Sequence, residues 1–139
     1  FAPFDWNFAE DADLWASRER APGGGQLLRV GASGGRSGEA ARQMLRLDPG
    51  AYLVAARLGD LPGDSDGRPQ IVVRCAGAKD VALLSLQPDG PGAAMRKVSG
   101  RFVVPANCRF QWIAIGIGSP RQVADASPWI DDVKIEHSR

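Results

Sequence analysis

Imidazole is almost absent from this chain: a single histidine, His137, stands near the end of its 139 residues. A Ser-His-Asp or Cys-His nucleophile would have to use that residue, where chains commonly fray. One histidine and two widely separated cysteines do not make a zinc ligand set either. Charge of one sign is lacking too. Seventeen Lys and Arg against sixteen Asp and Glu leave a net charge of +1. They are interspersed, so no basic footprint for nucleic acid forms and nucleic acid is not an expected partner. No apolar run approaches the length that spans a bilayer, so no membrane span is expected. No charged-then-apolar leader follows Phe1, which marks the chain as an expected piece, excised or processed, of a larger protein. The glycine-rich stretch from Gly31 to Gly38 lacks the Gly-Lys-Ser/Thr ending of a phosphate-binding loop and reads as a strand connection.

Helix is equally scarce. Residues 38–46 contain good helix formers, but they run into the turn Asp48-Pro49-Gly50 and alternate as well as a strand does. What the chain has in abundance is punctuation, with 17 glycines and 10 prolines. Between them lie nine short apolar-polar segments, 13–18, 26–30, 42–47, 51–58, 70–75, 81–86, 97–104, 110–117 and 129–136. No repeat or linker divides them. The pattern predicts one domain over residues 1–139: an all-β, antiparallel two-sheet β-sandwich, a jelly roll.

Cys75 and Cys108 each sit in or beside a strand-like run, and they are expected to be bonded. In the chain-entropy model such a bridge is worth about 3.5 kcal/mol. Two buried thiols are the alternative. A bridge implies an exported location, periplasmic, cell-surface or extracellular.

The last segment, Trp129-Ile130-Asp131-Asp132-Val133-Lys134-Ile135-Glu136, interrupts an apolar strand with two carboxylates, although Asp is disfavoured in strands. One reading is an oxygen-rich structural Ca²⁺ site at Asp131 or Asp132, helped by Asp5 or Glu10. The other is a carboxylate that accepts backbone N–H bonds from the opening segment. Paired acids can hydrolyse glycosides. Here they read as solvated loop charges, and no enzyme is expected. Among the aromatics, Trp112 shares a face with Phe110 and Ala114 in an apolar run and reads as core. Tyr52 reads as a strand anchor. Trp15 and Trp129 lie nearer strand ends or edges and are the first candidates for stacking on a sugar. The expected outward positions are Arg46, Arg57, Arg74 and Gln111. Three guanidiniums on neighbouring strands would suit carboxylates or sulfates.

The runs Leu27-Leu28-Arg29-Val30, Pro49-Gly50-Ala51-Tyr52-Leu53-Val54, Phe102-Val103-Val104-Pro105 and the closing Trp129 to Ile135 cover nearly the whole chain in order. Through them the sequence resembles the jelly-roll carbohydrate-binding modules, galactose-binding-domain-like sandwiches found beside glycoside hydrolases. The resemblance implies a non-catalytic sugar-binding module, a structural Ca²⁺ near Asp131 or Asp132, and exposed aromatics on a concave sheet. This chain departs from the last feature with Arg46, Arg57, Arg74 and Gln111, which turns the expected ligand toward acidic polysaccharide. The opening Pro3-Phe4-Asp5-Trp6 is similar to C-terminal sandwich domains of bacterial envelope proteins. The competing expectation is therefore a structural or protein-interaction domain of a larger envelope protein that binds no sugar.

Overall fold

The structure, a computed structural model, describes residues 6–21, 24–77, 82–92, 94–121 and 126–138. Eleven strands follow in order: β1 (Asn7–Phe8), β2 (Glu10–Asp11), β3 (Leu14–Arg20), β4 (Gln26–Ala32), β5 (Ser37–Leu45), β6 (Gly50–Gly59), β7 (Gln70–Cys75), β8 (Ala82–Leu86), β9 (Arg96–Val104), β10 (Gln111–Gly118) and β11 (Trp129–His137). A short 3-10 turn at Ser65–Gly67 separates β6 from β7. The nine expected segments all recur as strands, and residues 37–45, with their helix-forming composition, are strand as well. Val81, at the start of one expected segment, lies outside the described residues.

Every pairing among the described residues is antiparallel. One sheet has five strands in the order β1-β5-β10-β7-β8, the other six in the order β2-β3-β4-β11-β6-β9. The chain changes sheet at nearly every connection, the hairpins β2–β3, β3–β4 and β7–β8 excepted, as a jelly roll does. Two layers form because each sheet has one apolar face to bury. From the five-stranded sheet Ile71, Val73, Ile113, Ile115 and Ile117 point inward. The six-stranded sheet answers with Leu28, Val30, Val54, Leu58, Phe102, Val104 and Ile130, all buried. β-Branched residues at alternate positions suit this pleated interior.

Cys75 and Cys108 are bonded, with Cα atoms 5.6 Å apart. Cys75 ends β7, opposite Gln111 in the adjacent β10, so the bridge ties β7 to the connection entering β10. Tyr52 is buried, as a strand anchor should be. Its hydroxyl donates to the Asp48 carbonyl at 2.7 Å, and its ring lies near those of Phe102 and His137. Burial first, and the nearby Asp48 carboxylate second, push the phenol above its ordinary pKa.

Candidate functional site

Residues on β10 alternate strictly, and the isoleucines claim the interior. The outward series is therefore Trp112, Ala114, Gly116 and Gly118. Small outward side chains on a central strand lower the floor between its neighbours. β5 raises one wall with Arg42 and Glu39, opposite Ala114 and Gly116. The other wall is β7, with Gln70, Val72 and Arg74 opposite Gly116, Ala114 and Trp112. Arg74 reaches diagonally across β10 to Glu39, Nε to Oε2 at 3.0 Å and Nη2 to Oε1 at 2.9 Å. A residue larger than Ala114 would stand in the way of that bidentate pair.

Toward Gly118 the floor opens into a groove of about 710 Å³, bounded by residues 35–39, by Ser65, Asp66 and Arg68, and by Gln70 and Gln87. Its polar wall is internally braced. Gln70 Nε2 donates to Ser85 Oγ, and Gln87 Nε2 donates to the Ser65 carbonyl at 2.8 Å. Asp64 accepts the backbone N–H groups of Arg121 and Asp66, which hold its carboxyl below the usual carboxylate range.

At the other end of β10 the surface turns aromatic. The Arg42 guanidinium lies 4.3 Å from the centre of the Trp112 ring, with Arg74 at 6.0 Å. Arg46 takes up a similar position over Phe110, also at 6.0 Å. Phe110 and Met44 are 43% and 47% exposed, which is unusual for such large apolar side chains. Trp112, read as core from the sequence, is thus part of the outer face. Its bulk suggested burial, but the alternation Gln111, Ile113, Ile115, Ile117 around it is the stronger signal.

The expected ligand surface of Arg46, Arg57, Arg74 and Gln111 is not one surface. Gln111 is fully buried. Its Oε1 accepts from the Leu47 N–H at 2.9 Å, and its Nε2 donates to the Cys108 carbonyl at 2.7 Å, so it braces the chain around the disulfide. Arg57 belongs to β6 in the six-stranded sheet and is held by Asp131, at 3.0 and 3.1 Å. Arg74 is on the five-stranded sheet and is matched by Glu39. Arg46 lies just beyond the end of β5 on the same side as Arg74. Trp15 and Trp129 share the opposite face of the molecule, the outer side of the six-stranded sheet. Each lies half-buried across a glycine of a neighbouring strand, Trp15 on Gly31 and Trp129 on Gly59. A methyl group at Gly31 would come within 2.6 Å of Trp15 Cζ2.

The aspartate pair has a backbone origin. Between Asp131 and Lys134 the register of β11 against β6 slips by one residue, and Asp132 has φ 52°. Asp tolerates this left-handed conformation better than most residues. Because of the bulge Ile130, Val133 and Ile135 all face the core. Asp131 turns outward to Arg57, and Asp132 stands between Arg57 at 3.7 Å and Lys134 at 3.5 Å. The opening residues 1–5, which the anchoring expectation invoked, lie outside the described residues. The described residues do not fit a Ca²⁺ site, which takes six to eight oxygens. Two cations already face this pair, Glu10 is three strands away, and Asp5 lies outside the described residues. No group of three acidic, histidine or cysteine side chains gathers elsewhere among the described residues. Beside the bulge β4 and β11 part company, leaving a smaller cavity of about 390 Å³ lined by Trp6, Arg18, Leu28, Ile130 and Val133. No helix among the described residues is long and apolar enough to cross a membrane.

No protein-family model matches this chain, and no curated protein matches it. Solved structures do. A putative sugar binding protein from Bacteroides thetaiotaomicron superimposes with a TM-score of 0.69 at 10% identity, over 96% of this chain and 87% of that one. The carbohydrate-binding module TmCBM61, solved with β-1,4-galactotriose, gives 0.64 at 15% identity over 99% and 90%. CsCBM6-3 from Clostridium stercorarium, solved with cellobiose, gives 0.61 at 17% identity over 99% and 92%. At these identities the likeness shows the fold, and the chain has the jelly-roll fold of carbohydrate-binding modules.

Proposed function

We propose that the chain is a non-catalytic carbohydrate-binding module of an exported protein, with its glycan laid along β10 on the outer face of the five-stranded sheet. The observation that carries this reading is the continuity of that face. A polar groove leads past the Glu39–Arg74 pair onto Trp112, Phe110 and Met44. Sugars present apolar C–H faces and polar edges together. Exposed rings beside fixed amides and carboxylates complement both. Glu39 is locked by Arg74, and His137 packs against Tyr52 in the other sheet, so neither is poised as an acid or base over the groove. The disulfide suits an oxidising compartment. Arg42 on β5 and Arg46 just beyond it favour an acidic polysaccharide as the finer form of the reading.

A glycan array on the whole chain, followed by calorimetry, tests this. Phe110→Ala and Trp112→Ala are expected to weaken the bound glycan roughly tenfold or more while the melting transition stays cooperative. A glycan whose binding responds to Trp15→Ala or Trp129→Ala instead would move the site to the opposite face. Failure of every glycan would end the reading. One observation favours the alternative, a structural or protein-interaction domain of a larger envelope protein. Met, aromatics and Arg, gathered here, are the residues that concentrate in protein interfaces.

A further inference from the structure

We propose that Arg42, laid over Trp112, recognises a carboxylate on the sugar, so that the outer face of the five-stranded sheet takes a uronate-containing glycan. This rests on the carbohydrate reading above and names its ligand class. On the face that carries β10, Arg74 is answered by a carboxylate of the chain itself, and so are Arg29, Arg36 and Arg57 elsewhere. Arg96, by contrast, is held by the Gly90 and Pro91 carbonyls, and Arg101 has no ion pair among the described residues. Arg29 pairs with Glu19 at 2.8 Å, Arg36 with Asp11 at 2.7 Å, Arg57 with Asp131 at 3.0 Å and Arg74 with Glu39 at 2.9 Å. Arg42 has no carboxylate within ion-pair distance among the described residues; its recorded contact is the indole at 4.3 Å. It is exposed, and it sits on the wall of the face that carries the groove.

The geometry matters more than the charge. A guanidinium carbon 4.3 Å above the indole centre is held by the ring's negative face, while its N–H donors have no carboxylate of the chain to engage among the described residues. Stacking also restricts the side chain in advance, which lowers the entropy lost on binding. The neighbouring positive charge of Arg74 is neutralised by Glu39, so it does not compete for the anion. A carboxylate is planar and accepts two parallel N–H bonds from one guanidinium, and a uronate carries such a group on its ring. Met44 and Phe110, exposed on the same face toward the start of β10, give that ring apolar contact. A neutral sugar offers Arg42 only hydroxyl and ring oxygens, whose bonds to a guanidinium are weaker than the paired bonds to a carboxylate.

The test is calorimetry on the whole chain with oligogalacturonides, with the same oligomers after carboxyl reduction to neutral sugars, and with dextran sulfate. The proteins are wild type, Trp112→Ala, Arg42→Ala, Arg42→Lys and Arg101→Ala. The last removes the same charge from β9 on the other sheet. The uronate is expected to bind tighter than its reduced form by on the order of tenfold to a hundredfold, the scale of charged hydrogen bonds. Arg42→Ala should abolish that preference, Arg42→Lys should restore little of it, and Arg101→Ala should leave it intact. Dextran sulfate should bind more weakly than the uronate. The proposal falls if Arg42→Ala behaves like Arg101→Ala, or if dextran sulfate binds as tightly as the uronate. Reduced oligomers that bind as well as the uronate, with loss in Trp112→Ala, would overturn the uronate site and leave the carbohydrate reading standing. No binding to any glycan would end both.

Discussion

Gln43 and Gln111 face the same interior from adjacent strands, and their amides meet opposite fates. Gln111 has its oxygen and nitrogen both engaged by backbone groups around Leu47 and Cys108. Gln43, opposite Ile113, has a buried Oε1 without a hydrogen-bond partner among the described residues. A buried polar atom helps only when it is bonded, and stranding its partners costs more than the bond returns. Gln111→Leu should therefore destabilise by about 2 kcal/mol. Gln43→Met, of similar length, should stabilise by about 1 kcal/mol. Urea unfolding of both variants checks the pair, and a loss of stability in Gln43→Met would contradict this account. The tryptophans divide in the same local way. Trp15 and Trp129 spend their rings on covering Gly31 and Gly59, whereas Trp112 has Arg42 above it and Phe110 beside it.

At the scale of elements the informative strand is β11. Its side chains alternate with period two, so an extra residue would send every later one to the wrong face. The bulge takes up that extra residue, and its cost is concentrated at Asp132, in the left-handed region. Glycine adopts that conformation freely, and a β-branched residue resists it. Asp132→Gly should be neutral within about 0.5 kcal/mol, since its contacts with Arg57 and Lys134 are partly exposed and weak. Asp132→Val should lose about 1–2 kcal/mol. Equal melting temperatures for the two variants would show that the bulge does not set the cost. Two charges that read as a ligand site in the sequence are thus explained by a backbone conformation and an ion pair to β6.

For the whole molecule, the disulfide holds β7 to the segment that leads into β10, within the sheet that carries the groove. Replacing both Cys75 and Cys108 by Ser should cost about 3.5 kcal/mol and lower the melting temperature by roughly ten degrees or more. A shift of a degree or two would mean that the denatured chain is already restrained without the bridge. The covalent link was legible in the sequence because two strand-like runs each carried a cysteine. The sandwich was legible too, because alternation in residues 51–58 and 110–117 and the density of turn residues need no tertiary information. Even the inward set on β10 was there to be read in Ile113, Ile115 and Ile117, although the size of Trp112 obscured it. What alternation cannot say is which sheet a strand joins. Arg57 and Arg74 both point outward, as the pattern requires, yet they stand on opposite sides of the molecule. A period of two separates inside from outside, but a sandwich has two outsides. Long-range pairing alone decides which residues share one, here bringing Glu39, Arg42, Arg74 and Trp112 onto a single face.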